Sequence, residues 1–471
     1  DQSIYGWRGA KIENIYQFRD HYPDHQMIRL EQNYRSTGTI LKAANALIAH
    51  NDSRLGKELW TDAGDGQAIA LYAAFNEQDE AYFVVEKIRQ WVREGGSRRD
   101  IAILYRSNAQ SRQFEERLMT TATPYRVYGG LRFFERMEIK NALAYLRLSA
   151  NPWDDASFER VVNTPTRGIG AKTLDDMRLL ARDRSLSLWQ ASELMLQEAL
   201  LPARAATALN GFLSLIKNIG AQNAQHEALY ESVQHVIEAS GLIELYKKEK
   251  QDKGETRVEN LEELVNAARL FDFDTDNPDD LSDIDLFLTH AALEAGEMQG
   301  DADEDCVQLM TLHAAKGLEF KQVFMVGVEE GLFPSQQALD DPGRLQEERR
   351  LCYVGITRAM QQLTISYAES RRLYGKDSYP RPSRFLKEIP TELLEEIRLR
   401  AQVSRPASIA PSTSSYNSSR FRVGQMVRHE KFGEGVVLQT EGDGEQERVQ
   451  INFRQAGIKW LMLSFAKLET I

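Results

Sequence analysis

The stretch Gln346 to Met360, QEERRLCYVGITRAM, constrains this chain more than any other, because it turns an arginine inward. In a helix whose inner face carries Leu351, residues Val354, Gly355 and Arg358 share that face, since seven residues return to within roughly 20°. A guanidinium is effectively never deprotonated and burying it unpaired is costly, so Arg358 is expected to meet a carboxylate or a phosphate. For a lone inward arginine the structural pair with a carboxylate is the commoner outcome. The surrounding motifs have to decide.

Apolar, strand-like runs at Ala68–Phe75, Ile101–Tyr105 and Tyr125–Tyr128 alternate with helical segments at Thr37–Ala49, Asp79–Arg93 and Ala109–Thr120. That alternation predicts an α/β domain with a parallel sheet and crossover helices. The same texture resumes after residue 302, with strands at Val307–Leu312, Val323–Val328 and Leu363–Tyr367 and the helix Gln346–Met360. One sheet domain, 31–130 and 302–398, is therefore expected to be split by an insertion at 131–301. The insertion is almost strand-free and shows helical periodicity at Ala142–Leu148, Leu174–Ala181, Ala206–Ile219, Leu229–Glu238 and Val258–Phe271, so it reads as a helical domain. Its acidic runs, Asp272 to Asp285 and Asp301 to Asp305, read as solvated faces. Residues 1–30, with a short helix around Ile12 to Phe18, read as the end of a preceding domain. Residues 399–420, rich in Ser, Pro and Ala, read as a flexible linker. From Phe421 to Ile471 short alternating strands at Met426–His429, Gly435–Leu438, Arg448–Phe453 and Lys459–Leu463 predict a small SH3-like or Tudor-like barrel.

A length of 471 residues suggests about three domains, and 42% hydrophobic residues suffice to build their cores. The net charge of −12 excludes a wholly basic nucleic-acid coat but not a local basic channel. The cysteines, Cys306 and Cys352, cannot make a disulfide framework or a zinc site by themselves, which fits a reducing cytosol. No run of about 18 apolar residues is present, so no membrane span or membrane partner is expected. The chain begins at Asp1 inside what reads as a loop, and is expected to be a fragment.

Four further stretches bear on Arg358. In DQSIYGWRGA, Gln2 offers an amide that can orient water or a phosphate oxygen, and Tyr5 and Trp7 offer faces on which bases can stack, at about 1–3 kcal/mol each. In LEQNYRST, Tyr34 could cover a purine and Arg35 could reach the phosphates of the same nucleotide, while Ser36 and Thr37 can cap the next helix. In LMTLHAAKGLEF a buried strand ends in a polar turn, and ligands of open α/β sheets sit beyond the carboxyl ends of strands. This places His313, Lys316 and Glu319 at a site, the first two suited to a nucleic-acid backbone and Glu319 to a ribose hydroxyl. In NTPTRGIGAKTL, Gly168 and Gly170 make a tight turn before a helix whose free N–H groups can meet phosphate, and Arg167 and Lys172 add charge. An ordinary helix–helix turn explains that last pattern nearly as well.

Taken together and in order, DQSIYGWRGA, LEQNYRST, YRSNAQSR, VQLMTLHAAKGLEF and EERRLCYVGITRAM resemble the later motifs of superfamily 1A DNA helicases, the bacterial UvrD, Rep and PcrA group. The resemblance covers essentially the whole chain. It implies a RecA-like motor domain interrupted by the helical insertion, with ATP and Mg2+ as cofactors. It implies that Gln2, Arg35 and Arg358 sense the γ-phosphate, that Tyr34 stacks on adenine, and that Gly317 and Glu319 belong to the nucleotide site. It places Tyr5, Trp7, Arg106, Asn108, His313 and Lys316 along single-stranded DNA, and Arg167, Gly168, Gly170, Lys172 and Thr173 at duplex DNA beyond a junction. Further partners it implies are RNA polymerase at the barrel, mismatch and excision repair proteins, and a second copy of the chain.

One departure is large. No GxxxxGK[ST] occurs: Gly56-Lys57 is followed by Glu58 and Gly375-Lys376 by Asp377. The phosphate cradle and the metal ligands are expected before Asp1, so no metal-binding residue is assigned here and the chain alone is not expected to hydrolyse ATP. The expected function is 3′-to-5′ ATP-dependent DNA unwinding in cytoplasmic DNA repair and replication. The competing reading is a non-enzymatic protein that docks on DNA and RNA polymerase.

Overall fold

A computed structural model of the chain describes residues 1–6, 17, 21, 22, 24–52, 54, 56–128, 130–249, 252–271, 281–296, 304–373, 376–397, 426–429, 433–441, 448–453, 457–462 and 468–470. Trp7, the expected short helix around Ile12 to Phe18 except Gln17, the acidic residues 272–280 and 301–303, and the linker 399–420 lie outside them. The chain divides into two compact units, Asp1–Arg400 and Ala401–Ile471.

In the first unit, α1 (Gly38–Ala49), β1 (Ile69–Ala74), α2 (Glu77–Arg93), β2 (Ile101–Tyr105), α3 (Ser111–Thr120) and β3 (Tyr125–Val127) alternate as the sequence predicts. Local chemistry sets these elements. The Asn76 side chain caps α2, and Glu77, Asp79 and Glu80 in its first turn complement the helix dipole. Ala81, Val84, Val85 and Ile88 then form its buried stripe.

The insertion is helical among its described residues: α4 (Met137–Ala150), α5 (Asp155–Val161), α6 (Ala171–Arg184), α7 (Leu188–Gln197), α8 (Ala203–Asn223), α9 (Leu229–Ser240), α10 (Leu242–Lys247), α11 (Asp252–Leu270) and α12 (Asp283–Gly296). These helices share a core of their own, in which Tyr145, Phe158, Trp189, Phe212, Tyr246 and Phe287 are buried rings.

Beyond the insertion come β4 (Val307–Thr311), β5 (Phe320–Met325), α13 (Gln336–Leu339), α14 (Pro342–Ile356), β6 (Ala359–Ala368), the hairpin β7 (Arg371–Leu373) and β8 (Lys376–Ser378), α15 (Arg384–Lys387) and β9 (Leu394–Glu396). The main sheet has the order β3-β4-β2-β5-β6-β1-β9 and is parallel at every pairing. β3 pairs with β4, Tyr125 opposite Val307, so strands from either side of the insertion lie side by side in one sheet. Every residue of β2 is buried, as expected of a parallel strand covered by helices on both faces.

The expected helix Gln346–Met360 ends earlier than its apolar pattern suggests. α14 begins on a cap from Asp341 with Pro342 in its first turn and stops at Ile356; Met360 already lies in β6. Pairing of Ala359 with Phe320 of β5 draws the backbone into the sheet, and the Thr357 hydroxyl closes the helix by donating to the Tyr353 and Val354 carbonyls. Gly355 marks the closest approach of α14 to the sheet: a Cβ there would lie 2.5 Å from Leu312 Cδ2 and 3.1 Å from the Met325 sulfur. Gly355→Ala is expected to cost about 1–3 kcal/mol in urea unfolding through this overpacking.

A buried charge cluster joins the ends of several elements. Arg371 bonds Glu80, at 2.5 Å, and Glu329, and the second Glu80 oxygen accepts from the Gly327 N–H and the Ser366 hydroxyl at 2.8 and 2.7 Å. Burial pushes the Glu329 carboxyl up, even with Arg371 beside it.

The second unit is an antiparallel five-stranded sheet, β10 (Met426–His429), β11 (Gly433–Glu441), β12 (Arg448–Phe453), β13 (Gly457–Met462) and β14 (Leu468–Thr470), in the order β13-β12-β11-β10-β14. Alternate inward residues Val427, Val449, Ile451 and Phe453 form its core.

Candidate functional site

Arg358 lies one residue beyond the C-cap of α14, in the turn into β6, and is 2% exposed. Its Nε donates to the Val354 carbonyl (3.1 Å), Nη1 to the Leu318 carbonyl (2.8 Å) and Nη2 to the Thr357 hydroxyl (3.3 Å). All of these partners are neutral. Burial, and then the neighbouring Arg35, pull the Arg358 guanidinium down to about 10, which leaves it charged at neutral pH. A buried cation solvated by carbonyls and pressed by a second cation is an anion site in electrostatic terms.

Arg35 stands beside it, donating through Nη1 to the Thr357 carbonyl (3.3 Å) and through Nε to Glu319 (2.6 Å). That ion pair is partly exposed, so it is worth at most about 1 kcal/mol and a phosphate can displace it at small cost. Tyr34 is 84% exposed, its hydroxyl tied to Gln32, so its ring face is open for stacking. Gly317, at φ +92°, makes the left-handed turn leading to Glu319.

The strand-end expectation for Glu319 is corrected by the topology. His313 and Lys316 do follow the carboxyl end of β4, but Glu319 immediately precedes β5 and Arg358 immediately precedes β6. Arg35, Glu319 and Arg358 therefore gather at the amino-terminal edge of the sheet, whereas Arg106, Asn108 and His313 follow β2 and β4 at its carboxyl edge. Five strand residues, roughly 17 Å, separate the two edges.

Residues 1–6 lie against α14 and the loop after β4. Asp1 pairs with Arg54, the Gln2 carbonyl accepts from Lys316 (2.9 Å), the Ser3 carbonyl from Arg350 (2.7 Å), and the Gly6 N–H donates to Glu347 (2.9 Å). The Tyr5 ring lies 6.5 Å from that of His313 and under the Lys316 ammonium at 4.9 Å. Lys316 is thus drawn to this segment rather than standing out from the surface, and the exposed Gln2 side chain sits on the same segment.

Two arginines assigned to DNA by sequence are committed elsewhere. Arg106 grips Glu348 of α14 with two nitrogens, at 3.0 and 2.7 Å. Arg167 turns inward, donating to the carbonyls of Val161 (3.0 Å) and Pro165 (3.2 Å) and to the Tyr145 hydroxyl, with Phe212 beneath it. It braces the turn instead of projecting from it. The turn itself has the expected form: Gly168 at φ +87° and Gly170, the N-cap of α6, are exposed, while Ile169 between them is buried. Lys172 is exposed and Thr173 partly so in the first turn of α6.

Sequence reasoning missed what the four charges before Leu351 do. Successive residues of a helix point about 100° apart. Accordingly Glu347 holds Gly6, Glu348 holds Arg106, Arg349 holds Glu388 and Asn51, and Arg350 holds Ser3. Four consecutive charges, two acidic and then two basic, directly before the apolar run from Leu351 were the available signal.

A parallel sheet with a charged turn before β6 and a helical insertion defines a RecA-like domain in which a buried arginine lies beside a second one. Residues 28–370 match the family described as the UvrD-like helicase C-terminal domain, and residues 423–469 match the PcrA/UvrD tudor domain. The chain belongs to the UvrD-like helicase C-terminal domain family. Over its whole length it is 59% identical to DNA helicase II of Salmonella typhimurium and of Escherichia coli K12, covering 65% of each. It is 41% identical to the ATP-dependent DNA helicase PcrA of Bacillus subtilis, covering 66% of that protein. The chain thus spans about 65% of the length of the helicase II relatives it matches.

Proposed function

We propose that this chain forms the second motor domain, helical insertion and barrel of an ATP-dependent DNA helicase of the UvrD type, which unwinds DNA 3′ to 5′ in repair and replication. One observation carries the reading: a guanidinium buried among neutral acceptors, with a second arginine against it and no carboxylate bonded to it. In phosphoryl transfer, catalysis is positioning plus stabilisation of charge, and a cation held out from one lobe completes the pocket only while triphosphate fills it.

ATP fits the residues present: Arg358 and Arg35 for terminal phosphate oxygens, Tyr34 for the base and Glu319 for the ribose. ATP supplies the phosphoanhydride bond whose cleavage drives the motor. Mg2+ does not fit this set, since no group of three His, Cys, Asp or Glu is placed to hold it among the described residues. The ligands of the metal belong to the remainder of the helicase. On this reading the chain by itself binds DNA without hydrolysing ATP.

Residues 1–6, held against α14 and the loop after β4, link the motor to the DNA edge, where Tyr5, Asn108 and His313 meet single-stranded bases and backbone. The exposed turn Gly168–Thr173 meets duplex phosphates with backbone N–H groups and Lys172. The barrel docks RNA polymerase, and mismatch and excision repair proteins and a second copy of the chain are further partners. No described helix is long and apolar enough to cross a membrane. Acting on DNA in repair and replication, the helicase is proposed to work in the cytoplasm.

Removing the stacking face tests the nucleotide assignment separately from the chemistry. Tyr34→Ala in the full-length helicase is expected to raise the KM for ATP about 3- to 10-fold with kcat within about twofold, matching a stacking term of about 0.5–1.5 kcal/mol. An unchanged KM in steady-state ATPase assays removes Tyr34 from the site.

A further inference from the structure

The cleft where the helical insertion meets the sheet domain is not used by the reading above. It is a cavity of about 60 Å3 between α11 and the loop after β2, lined on the α11 side by Glu259, Glu262, Glu263 and Asn266. Ala109, Gln113 and Leu332 supply an opposite, more apolar wall, and Arg371 and Arg372 close one end.

The charges are unevenly satisfied. Glu263 is taken by Arg112 at 2.6 Å, Glu259 by the Ser107 hydroxyl, and Arg371 by Glu80 and Glu329. Asn266 is 3% exposed, and its Nδ2 donates to Glu263 (3.1 Å) and to the Arg372 carbonyl (3.2 Å). Its Oδ1 is buried with no donor, and so is Oε2 of Glu262. Both atoms are acceptors, and a buried acceptor left without a donor is costly. Burial, with Glu259 nearby, pushes the Glu262 carboxyl up to about 7, while Lys247 acts against that rise. A cleft with two unfilled acceptors, excess negative charge and an apolar wall calls for a donor-bearing cation on a hydrocarbon stem. A bare divalent metal is a poor match, because no group of three metal-ligating side chains is assembled among the described residues.

We propose that the cleft between α11 and the loop after β2 binds a small aliphatic ammonium compound of the polyamine class, its ammonium on Glu262 Oε2 and Asn266 Oδ1 and its methylenes against Ala109 and Leu332. Bound there, it contacts insertion and sheet domain together and favours the docked arrangement over any in which they separate.

The test is calorimetric titration of spermidine into the whole chain at fixed ionic strength. One saturable site is expected, weakened at least tenfold by Glu262→Gln and unchanged by Asp183→Asn on the exposed face of α6. Gln113→Lys, which places the protein's own ammonium in the cleft, is expected to abolish the site, and it serves as the deciding variant should Glu262→Gln not fold. Magnesium chloride at equal ionic strength is expected not to compete. Absence of a saturable site, equal weakening by the Glu262 and Asp183 variants, retained binding in Gln113→Lys, or full competition by magnesium each overturns the proposal.

Discussion

Arg358→Ala in the full-length helicase is expected to lower DNA-stimulated ATP turnover by about 10³-fold or more, the scale of losing an arginine finger. Arg358 has no bonded carboxylate whose loss would explain the defect; its partners are two carbonyls and a hydroxyl. Their release costs about 1–3 kcal/mol of stability in total, a penalty visible in unfolding curves and too small to remove the folded state of an ordinary domain. Arg358→Lys separates the two effects, because it keeps charge but not the planar fork that spans neighbouring phosphate oxygens. It is expected to recover most of the stability and little of the rate. Turnover within tenfold of wild type in the alanine variant, in rapid-quench and steady-state assays alike, contradicts the finger role.

The largest expected effect on stability lies elsewhere. Arg371→Met is expected to destabilise the sheet domain by about 3–5 kcal/mol, since it leaves two buried carboxylates, Glu80 and Glu329, without their shared cation. The pH dependence follows from the sign of the shift. Glu329 is raised in the folded state, so it binds a proton more readily folded than unfolded; its contribution is present at low pH and is lost as pH rises through the folded value. Without Arg371 the Glu329 carboxyl rises further, so the loss measured by urea unfolding is expected to be greater at pH 8 than at pH 5.5. A deficit that shrinks with rising pH contradicts this account of the cluster.

Periodicity carried most of the architecture. Runs such as Ile101–Tyr105 and Arg448–Phe453 coincide with their strands to the residue, because a strand's burial pattern is written directly in its apolar residues. The end of α14 was not legible, because it is set by pairing of Ala359 with Phe320, a partner some 40 residues away. The inward position of Arg358 was read correctly from a helical register, yet the turn beyond the helix, rather than the helix itself, buries it. For Glu319 the motif gave the neighbourhood but not the edge of the sheet, which depends on how the loop after β4 crosses back to start β5. Arg106 and Arg167 show the limit of reading charge as surface: each looks available in sequence, and each is consumed by partners whose proximity only the fold creates.

The central claim is that Arg358 and Arg35 recognise the terminal phosphate. Its most direct test is the affinity of the full-length protein for a non-hydrolysable triphosphate relative to the diphosphate, measured by calorimetry with and without Arg358→Ala. The account predicts that the wild-type preference for triphosphate collapses by at least tenfold, about 1.4 kcal/mol, while diphosphate binding is little changed. An equal ratio in both proteins would contradict it.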